Sequence, residues 1–294
     1  MKVIVAGGTG FVGNALVQAL IDNGHQVLLL QRSQSRTKQP QLPDVEVVGV
    51  DLEQPIVSND IKGDAIINLV GIIREFPSKG ITFHKAHFLV TKNLIDFAKK
   101  AGIRHFLQMS ALGVKADAAT GYEQTKYAAE CYLRESGLVW TIIRPSIIIG
   151  PGGGLVQLLS SMIQRLPVVP VVGNGQYKVQ PIYVGDVVSG FVKALGNPKA
   201  FGRTFEIGGP EIMTFEQMID TIGKAMGRSS VRKFHQPLWI LKPLASLFGR
   251  FSWFPLSKDQ LIMLIEENYT NDKSYSEFFG INPKRLIDAL REFI

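Results

Sequence analysis

Apolar residues in the first 150 positions follow two alternating rhythms. Short runs at Lys2 to Ala6, His25 to Leu30, Val45 to Val50, Asp64 to Val70, Arg104 to Met109 and Val139 to Ile143 have the length and composition of buried strands. Between them apolar positions recur at helical spacing: Phe11, Ala15, Leu16, Ala19 and Leu20 within Phe11 to Ile21, then about His84 to Lys100, then Tyr122 to Glu135. Three helices end on Asn23-Gly24, Ala101-Gly102 and Ser136-Gly137, each followed by an apolar strand; glycine just past a helix end takes the left-handed conformation that satisfies the last carbonyls. The alternation predicts a parallel sheet with helices on both faces. It breaks at Gly150, where Pro151-Gly152-Gly153-Gly154 precedes Pro167, Pro170, Gly173 and Gly175. A sheet domain is expected over 1–150, rejoined by about 176–208 through Pro181 to Val188 and Thr204 to Gly208. Residues 151–175 and 209–294 form a smaller lobe, mainly helical over 211–227 and 231–294.

The first strand runs through Gly7, Gly8, Thr9, Gly10, Phe11, Val12 and Gly13 into its helix. At such a junction the backbone turns tightly, and the N–H groups at the positive helix end face whatever approaches. A pyrophosphate suits that field, and a side chain would obstruct it. The glycines fit two spacings, Gly8-x-Gly10-x-x-Gly13 and Gly7-x-x-Gly10-x-x-Gly13. A dinucleotide is the expected cofactor, held by these seven residues in the 1–150 domain.

The end of the second strand bears on its identity. NAD-selective sites commonly carry an acidic residue there for the ribose 2'-hydroxyl. This chain reads Gln31-Arg32-Ser33, with Arg36 and Lys38 close behind, and no carboxylate is expected to be available at that point. A guanidinium and a hydroxyl suit a 2'-phosphate, so NADP(H) is favoured over NAD(H). Asp51 and Leu52, after the third strand, are expected at the adenine edge.

At 294 residues and 46% hydrophobic composition, the chain can bury one large core plus a smaller lobe, and disorder is excluded. The lone Cys131 allows no internal disulfide and no zinc spacing, which suits a reducing compartment. His84 and His87 lack a third ligand, so no metal is expected. The net charge of +7 comes without a run of five basic residues, so an anionic cofactor, substrate or lipid accounts for it better than nucleic acid does. A strand starting at residue 2 leaves no room for a leader peptide, and no apolar run reaches the ~18 residues of a spanning helix. A cytoplasmic location is expected, with membrane association left open.

Tyr122 and Lys126 lie four residues apart on one helix face. An ammonium beside a phenol stabilises the phenolate and lowers its pKa, equipping tyrosine to exchange a proton with a hydroxyl or carbonyl. Tyr269-x-x-x-Lys273 has the same spacing, so position decides. Tyr122 follows the fifth strand, whose end carries Ser110, on the ligand side of an open α/β sheet. Tyr269 falls in the C-terminal addition.

With the glycine turn, Ser110, Tyr122 and Lys126 in this order, the chain resembles the short-chain dehydrogenase/reductase superfamily over essentially its whole length. Ile142-Ile143-Arg144-Pro145 and Pro181-Ile182-Tyr183-Val184-Gly185-Asp186-Val187 look like segments of its extended, epimerase/dehydratase-like members. Met109-Ser110-Ala111-Leu112-Gly113, Phe205-Glu206-Ile207-Gly208-Gly209-Pro210 and the closing helices look most like the atypical branch. That branch includes the nucleotide-binding accessory subunit of mitochondrial complex I, its bacterial relatives and a fungal protein linked to coenzyme Q synthesis. The resemblance implies a Rossmann-type doubly wound sheet, with Ser110, Tyr122 and Lys126 as catalytic residues. It adds Val70, Gly71, Lys126 and Pro145 to the cofactor contacts. Relatives commonly pair through the active-site helix, and oligomer formation is open here. Two positions depart from the family pattern. Ala86-His87-Phe88-Leu89-Val90-Thr91 replaces the usual Val-Asn-x-x-Gly-Thr, and Ala111 is an alternative alignment for the catalytic hydroxyl.

Two functions follow. One is an NADP(H)-dependent oxidoreductase or epimerase/dehydratase-type enzyme acting on a carbonyl or hydroxyl of a hydrophobic or nucleotide-linked small molecule. The other is a non-catalytic cofactor-binding accessory or sensor protein of a membrane respiratory or quinone-synthesis complex. The stretch 237–255, with Trp239, Phe248, Phe251, Trp253 and Phe254 beside Lys242 and Arg250, suits a membrane interface, a partner's groove or the roof of a substrate pocket.

Overall fold

The apolar runs of the first half become one sheet. The computed structural model describes residues 1–32, 45–58, 60–249, 251 and 256–294. In it β1 (Lys2–Ala6), β2 (Gln26–Gln31), β3 (Val45–Gly49), β4 (Ala65–Asn68), β5 (His105–Met109) and β6 (Val139–Pro145) pair in parallel. With β11 (Arg203–Ile207) at the β6 edge, the seven-stranded order is β11-β6-β5-β4-β1-β2-β3. The crossover helices are α1 (Phe11–Asp22), α2 (Val90–Ala101) and α3 (Gly121–Arg134). Val3, Ile4, Val5 and Ala6 are all buried, as a strand covered on both faces requires. Leu94, Ile95 and Ala98 of α2 pack with Ile4, Leu28, Ile66 and Phe106 of the sheet. The helix ends read from sequence are left-handed glycines, with φ of +74° at Gly24, +72° at Gly102 and +79° at Gly137.

The chain divides into two compact units. The first comprises Met1–Ile73, Ile81–Arg144 and Val188–Phe205, the second Arg74–Gly80, Pro145–Val187 and Glu206–Ile294. The second contains α4 (Gly154–Arg165), α6 (Phe215–Ala225), α7 (Leu238–Phe248), α8 (Lys258–Ile265), α9 (Ser274–Phe279) and α10 (Leu286–Leu290). Its strands form pairs: β7 (Ile148–Ile149) with β10 (Ile182–Tyr183), β8 (Val169–Val172) with β13 (Lys233–Gln236), and β9 (Lys178–Val179) with β12 (Met213–Thr214). Val156, Leu159, Phe215, Met218 and Leu286 form its main core.

Three expectations are corrected, while 231–294 is mainly helical among the described residues, with α7 to α10 following the short strand β13. Pro181 to Val188 does not return to the large sheet: β10 pairs with β7, and α5 (Val184–Ala194) starts at once. The strand expected to reach Val70 stops at Asn68, whose side-chain Oδ1 accepts the Val70 N–H at 3.0 Å. The helix expected from His84 opens with a π-helical turn, His84–Leu89, before α2 begins at Val90. Among the described residues no helix is long and apolar enough to cross a membrane.

Candidate dinucleotide and proton-transfer site

The glycine turn decides between its two spacings. Gly7 has φ of +83°, and a Cβ there would lie 2.9 Å from the Leu69 carbonyl carbon. A Cβ on Gly13 would lie 2.2 Å from Gly7 O, so that glycine lets α1 close onto the turn. A Cβ on Gly8 would clash with the flexible tip of Leu29, at 2.4 Å, and meet Val5 and Val17 at 3.4 Å. The backbone thus demands Gly7 and Gly13. Gly10 differs: its nearest neighbour would be Gly7 O at 3.4 Å, an ordinary contact, so nothing in the protein requires glycine there. Gly10 and Thr9 are exposed, the N-terminus of α1 has no side-chain cap, and its first turn has no acidic residue. Phe11 is half-buried and Val12 buried in that turn. An open glycine at an uncapped, acid-free helix end fits an approaching pyrophosphate.

Gln31 is buried at the end of β2, and Arg32 is exposed just beyond it. The absence of a carboxylate here is corrected: Glu53 Oε1 lies 3.2 Å from Arg32 Nη2, and Lys85 Nζ lies 3.3 Å from Glu53 Oε2. Glu53 comes from the loop after β3, brought in by the parallel pairing of β2 and β3. Asp51 Oδ1 accepts the Glu53 N–H at 3.0 Å, shaping that loop, while buried Leu52 uses its carbonyl to accept Asn93 Nδ2 at 2.9 Å. Ser33 and Arg36, with Lys38, lie outside the described residues.

A polar network that no local pattern signalled fixes the ends of β4 and β5. Buried Asn68 donates to Thr91 Oγ1 at 2.9 Å and Gln108 Oε1 at 3.0 Å, and Gln108 donates to Met109 O at 3.0 Å. Lys126 Nζ donates to the same Met109 carbonyl at 3.4 Å. A Cβ on Gly71 would lie 3.5 Å from Lys126 Nζ and 3.7 Å from the His87 ring, ordinary contacts that place Gly71 next to the lysine without requiring glycine there. Val70 precedes it, half-buried, and Pro145 closes β6 as the first residue of the second unit.

Tyr122 and Lys126 sit in α3, which begins at an N-cap Thr120 whose Oγ1 accepts the Glu123 N–H. Lys126 Nζ lies 5.5 Å from the Tyr122 ring centroid. The half-buried Tyr122 packs edge-on against Phe83 and His87, at centroid distances of 5.7 and 5.1 Å, and its hydroxyl has no hydrogen-bond partner among the described residues. The expected lowering of the phenol pKa is reversed: burial, with a smaller contribution from Glu123, raises it. Burial also lowers the Lys126 ammonium to about 8, against a smaller opposing effect of Glu130. Ser110 is buried and its Oγ has no partner among the described residues, although its N–H donates to Ile143 O at 2.8 Å. A buried hydroxyl without a partner is rare and points to a missing ligand or water.

His87 stands where the sequence resemblance leads one to expect asparagine. Burial, then the Lys126 charge, lowers its pKa to about 2, so the imidazole is neutral. His87 Nδ1 lies 2.9 Å from Thr125 Oγ1, and Nε2 lies 3.0 Å from Ile72 O and 3.2 Å from Ile72 N, with the donor at each ring nitrogen set by the tautomer. Both ring nitrogens are engaged within the protein.

Residues 3–208 match the model of the NAD dependent epimerase/dehydratase family. The chain is 31% identical over 277 residues to the mitochondrial NADH dehydrogenase [ubiquinone] 1 alpha subcomplex subunit 9 of Arabidopsis thaliana, covering 90% of this chain and 68% of that protein. It is 26% identical over 281 residues to the photosystem II assembly factor Ycf39 of Trieres chinensis, covering 95% of this chain and 85% of that one. Among solved structures, UDP-glucose 4-epimerase from Thermotoga maritima superimposes with a TM-score of 0.76 at 20% identity, covering 99% of this chain and 96% of the other, a likeness of fold. By its glycine turn, its parallel sheet and these matches, the chain belongs to the NAD dependent epimerase/dehydratase family.

Proposed function

We propose that the protein is an NADP(H)-binding enzyme of the oxidoreductase or epimerase/dehydratase type, acting on a carbonyl or hydroxyl of a hydrophobic or nucleotide-linked small molecule. The observation that carries this reading is a tyrosine hydroxyl and a Ser110 hydroxyl that both lack a partner among the described residues, with a buried lysine one helical turn after the tyrosine bonded to Met109 O at the end of β5. Gly7, Gly10, Gly13 and the first turn of α1 would hold the pyrophosphate, and Asp51 and Leu52 the adenine edge. A nicotinamide bound there would supply or accept the hydride. Tyr122 keeps its proton at neutral pH and is suited to deliver it to a carbonyl oxygen; Lys126, still largely charged at pH 7, then stabilises the phenolate. Ser110 Oγ would orient that oxygen.

Arg32 is the proposed 2'-phosphate ligand. Its exposed pair with Glu53 is weak and yields readily to a dianion. A thermal-shift titration with NADPH, NADP, NADH and NAD tests this, since a ligand at about 100 times its dissociation constant adds roughly 2.7 kcal/mol. NADP(H) should stabilise more than NAD(H); Arg32→Ala should erase that preference, and Glu53→Gln should widen it. A larger shift with NAD(H) in the wild type would reverse the assignment. Tyr122→Phe should keep the cofactor shift while turnover in a carbonyl-substrate screen falls about 10²–10⁴-fold.

The second reading, a cofactor-binding accessory or assembly protein of a membrane complex, draws on the relatives' names and on His87. A neutral imidazole with both nitrogens engaged is poorly suited to a proton relay. A dinucleotide shift without turnover on any substrate, unchanged by Tyr122→Phe, favours it.

A further inference from the structure

The whole positive excess of the chain lies in one segment. Residues 221–258 contain seven Lys or Arg (Lys224, Arg228, Arg232, Lys233, Lys242, Arg250, Lys258) and no Asp or Glu, so the other residues carry 25 of each sign and the net +7 resides here. No run of basic residues marks it; the depletion of acids does. Lys233 pairs with Asp220 at 2.7 Å. Lys224, Arg228, Arg232, Lys242 and Lys258 are exposed, and none has an ion pair among the described residues.

The same segment holds a helix that is apolar on both faces. Leu238, Leu241 and Ala245 of α7 pack inward with Val172, Leu261 and Leu264. The opposite face presents Trp239, 77% exposed, Leu247, 63%, and Ile240, 40%, and Phe234 of the adjoining β13 is 61% exposed. Arg74 fixes the end of α7 by donating from Nη2 to Gly249 O at 2.8 Å and Phe251 O at 2.7 Å. A helix apolar all round needs cover on its second face. Trp beside exposed lysine and arginine, in a stretch without acids, matches the headgroup layer of an anionic bilayer, where indole sits at the boundary and cations meet phosphate.

We infer that α7 and β13 form a peripheral docking surface for an anionic lipid membrane, with Trp239, Ile240 and Leu247 entering the acyl boundary and Arg232, Lys242 and Lys258 contacting headgroup phosphates. This surface belongs to the second unit alone and is independent of the reaction proposed above.

Flotation of the full chain with vesicles tests it, using phosphatidylcholine alone and with about 30% phosphatidylglycerol, at low and high salt. Capture is expected on the anionic vesicles only, weakened by salt, with Trp239 fluorescence quenched by brominated acyl chains. Replacing Arg232 and Lys242 together by Gln should weaken capture roughly 30-fold, at about 1 kcal/mol per cation near such a surface. Trp239→Ser with Leu247→Ser should abolish quenching and most capture, with both variants retaining the wild-type melting temperature within a few degrees. Absence of capture at low salt, or capture that both double variants retain, overturns the inference. Self-association lost in Trp239→Ser/Leu247→Ser without any vesicle capture would also overturn it, assigning the face to a second copy of the chain.

Discussion

Lys126 is a buried ammonium held by one long hydrogen bond to Met109 O. In the unfolded chain it keeps its proton to 10.5, and in the folded chain only to about 8. The folded state therefore bears the full cost of that buried charge below pH 8, and the cost fades as pH rises toward 10.5. Lys126→Met should raise thermal stability at pH 7 by on the order of 1–3 kcal/mol, with the gain shrinking above pH 8. A melt series across that range checks it; destabilisation at pH 7 would mean that the ammonium is well paired. Such a charge, retained at a stability cost, is what a site awaiting an anion or a phenolate looks like. Neutral His87 is the opposite case, spending one nitrogen on Ile72 and the other on Thr125 of α3.

The helix α3, which carries Tyr122 and Lys126, is held by an element-level clamp. Glu130, fully buried in α3, accepts Arg144 Nε at 2.9 Å and Nη2 at 2.7 Å, and Arg134 Nη2 at 2.7 Å. Because Tyr122, Lys126 and Glu130 repeat every four residues, the clamp on β6 also orients the face that carries the phenol and the ammonium. Glu130→Gln should destabilise the protein by about 3 kcal/mol, since it leaves two guanidinium groups short of their carboxylate; a denaturant titration measures it, and a neutral result would remove the clamp. Much of this level was legible in the sequence. The strands, the three glycine helix ends and the glycine turn are local signals, set by residues within a few positions of one another. The π-helical turn at His84–Leu89 was not legible, because widening one helical turn leaves the apolar periodicity nearly intact. Glu53 beside Arg32 and the Asn68, Thr91 and Gln108 network were missed because strand pairing and the packing of α2 on the sheet join residues 21, 23 and 40 positions apart. Ser110, Tyr122 and Lys126 are proposed from their order and position along the chain; the raised phenol was missed, since burial does not show in spacing.

For the whole molecule, the change in rhythm at Gly150 lies close to the division at Arg144 and Pro145, because the glycine- and proline-rich stretch cannot continue a strand-helix alternation. The aromatic-basic character of 237–255 was also readable, although Arg250, Trp253 and Phe254 fall outside the described residues. The extent of the charge imbalance was hidden by counting basic runs instead of missing acids. That imbalance bears on crowding. A protein whose remaining 25 cations and 25 anions cancel has little long-range repulsion once segment 221–258 is neutralised by a surface. Copies adsorbed side by side would then pack until their outlines touched, and occupancy would saturate at a density set by molecular cross-section, with little further dependence on salt.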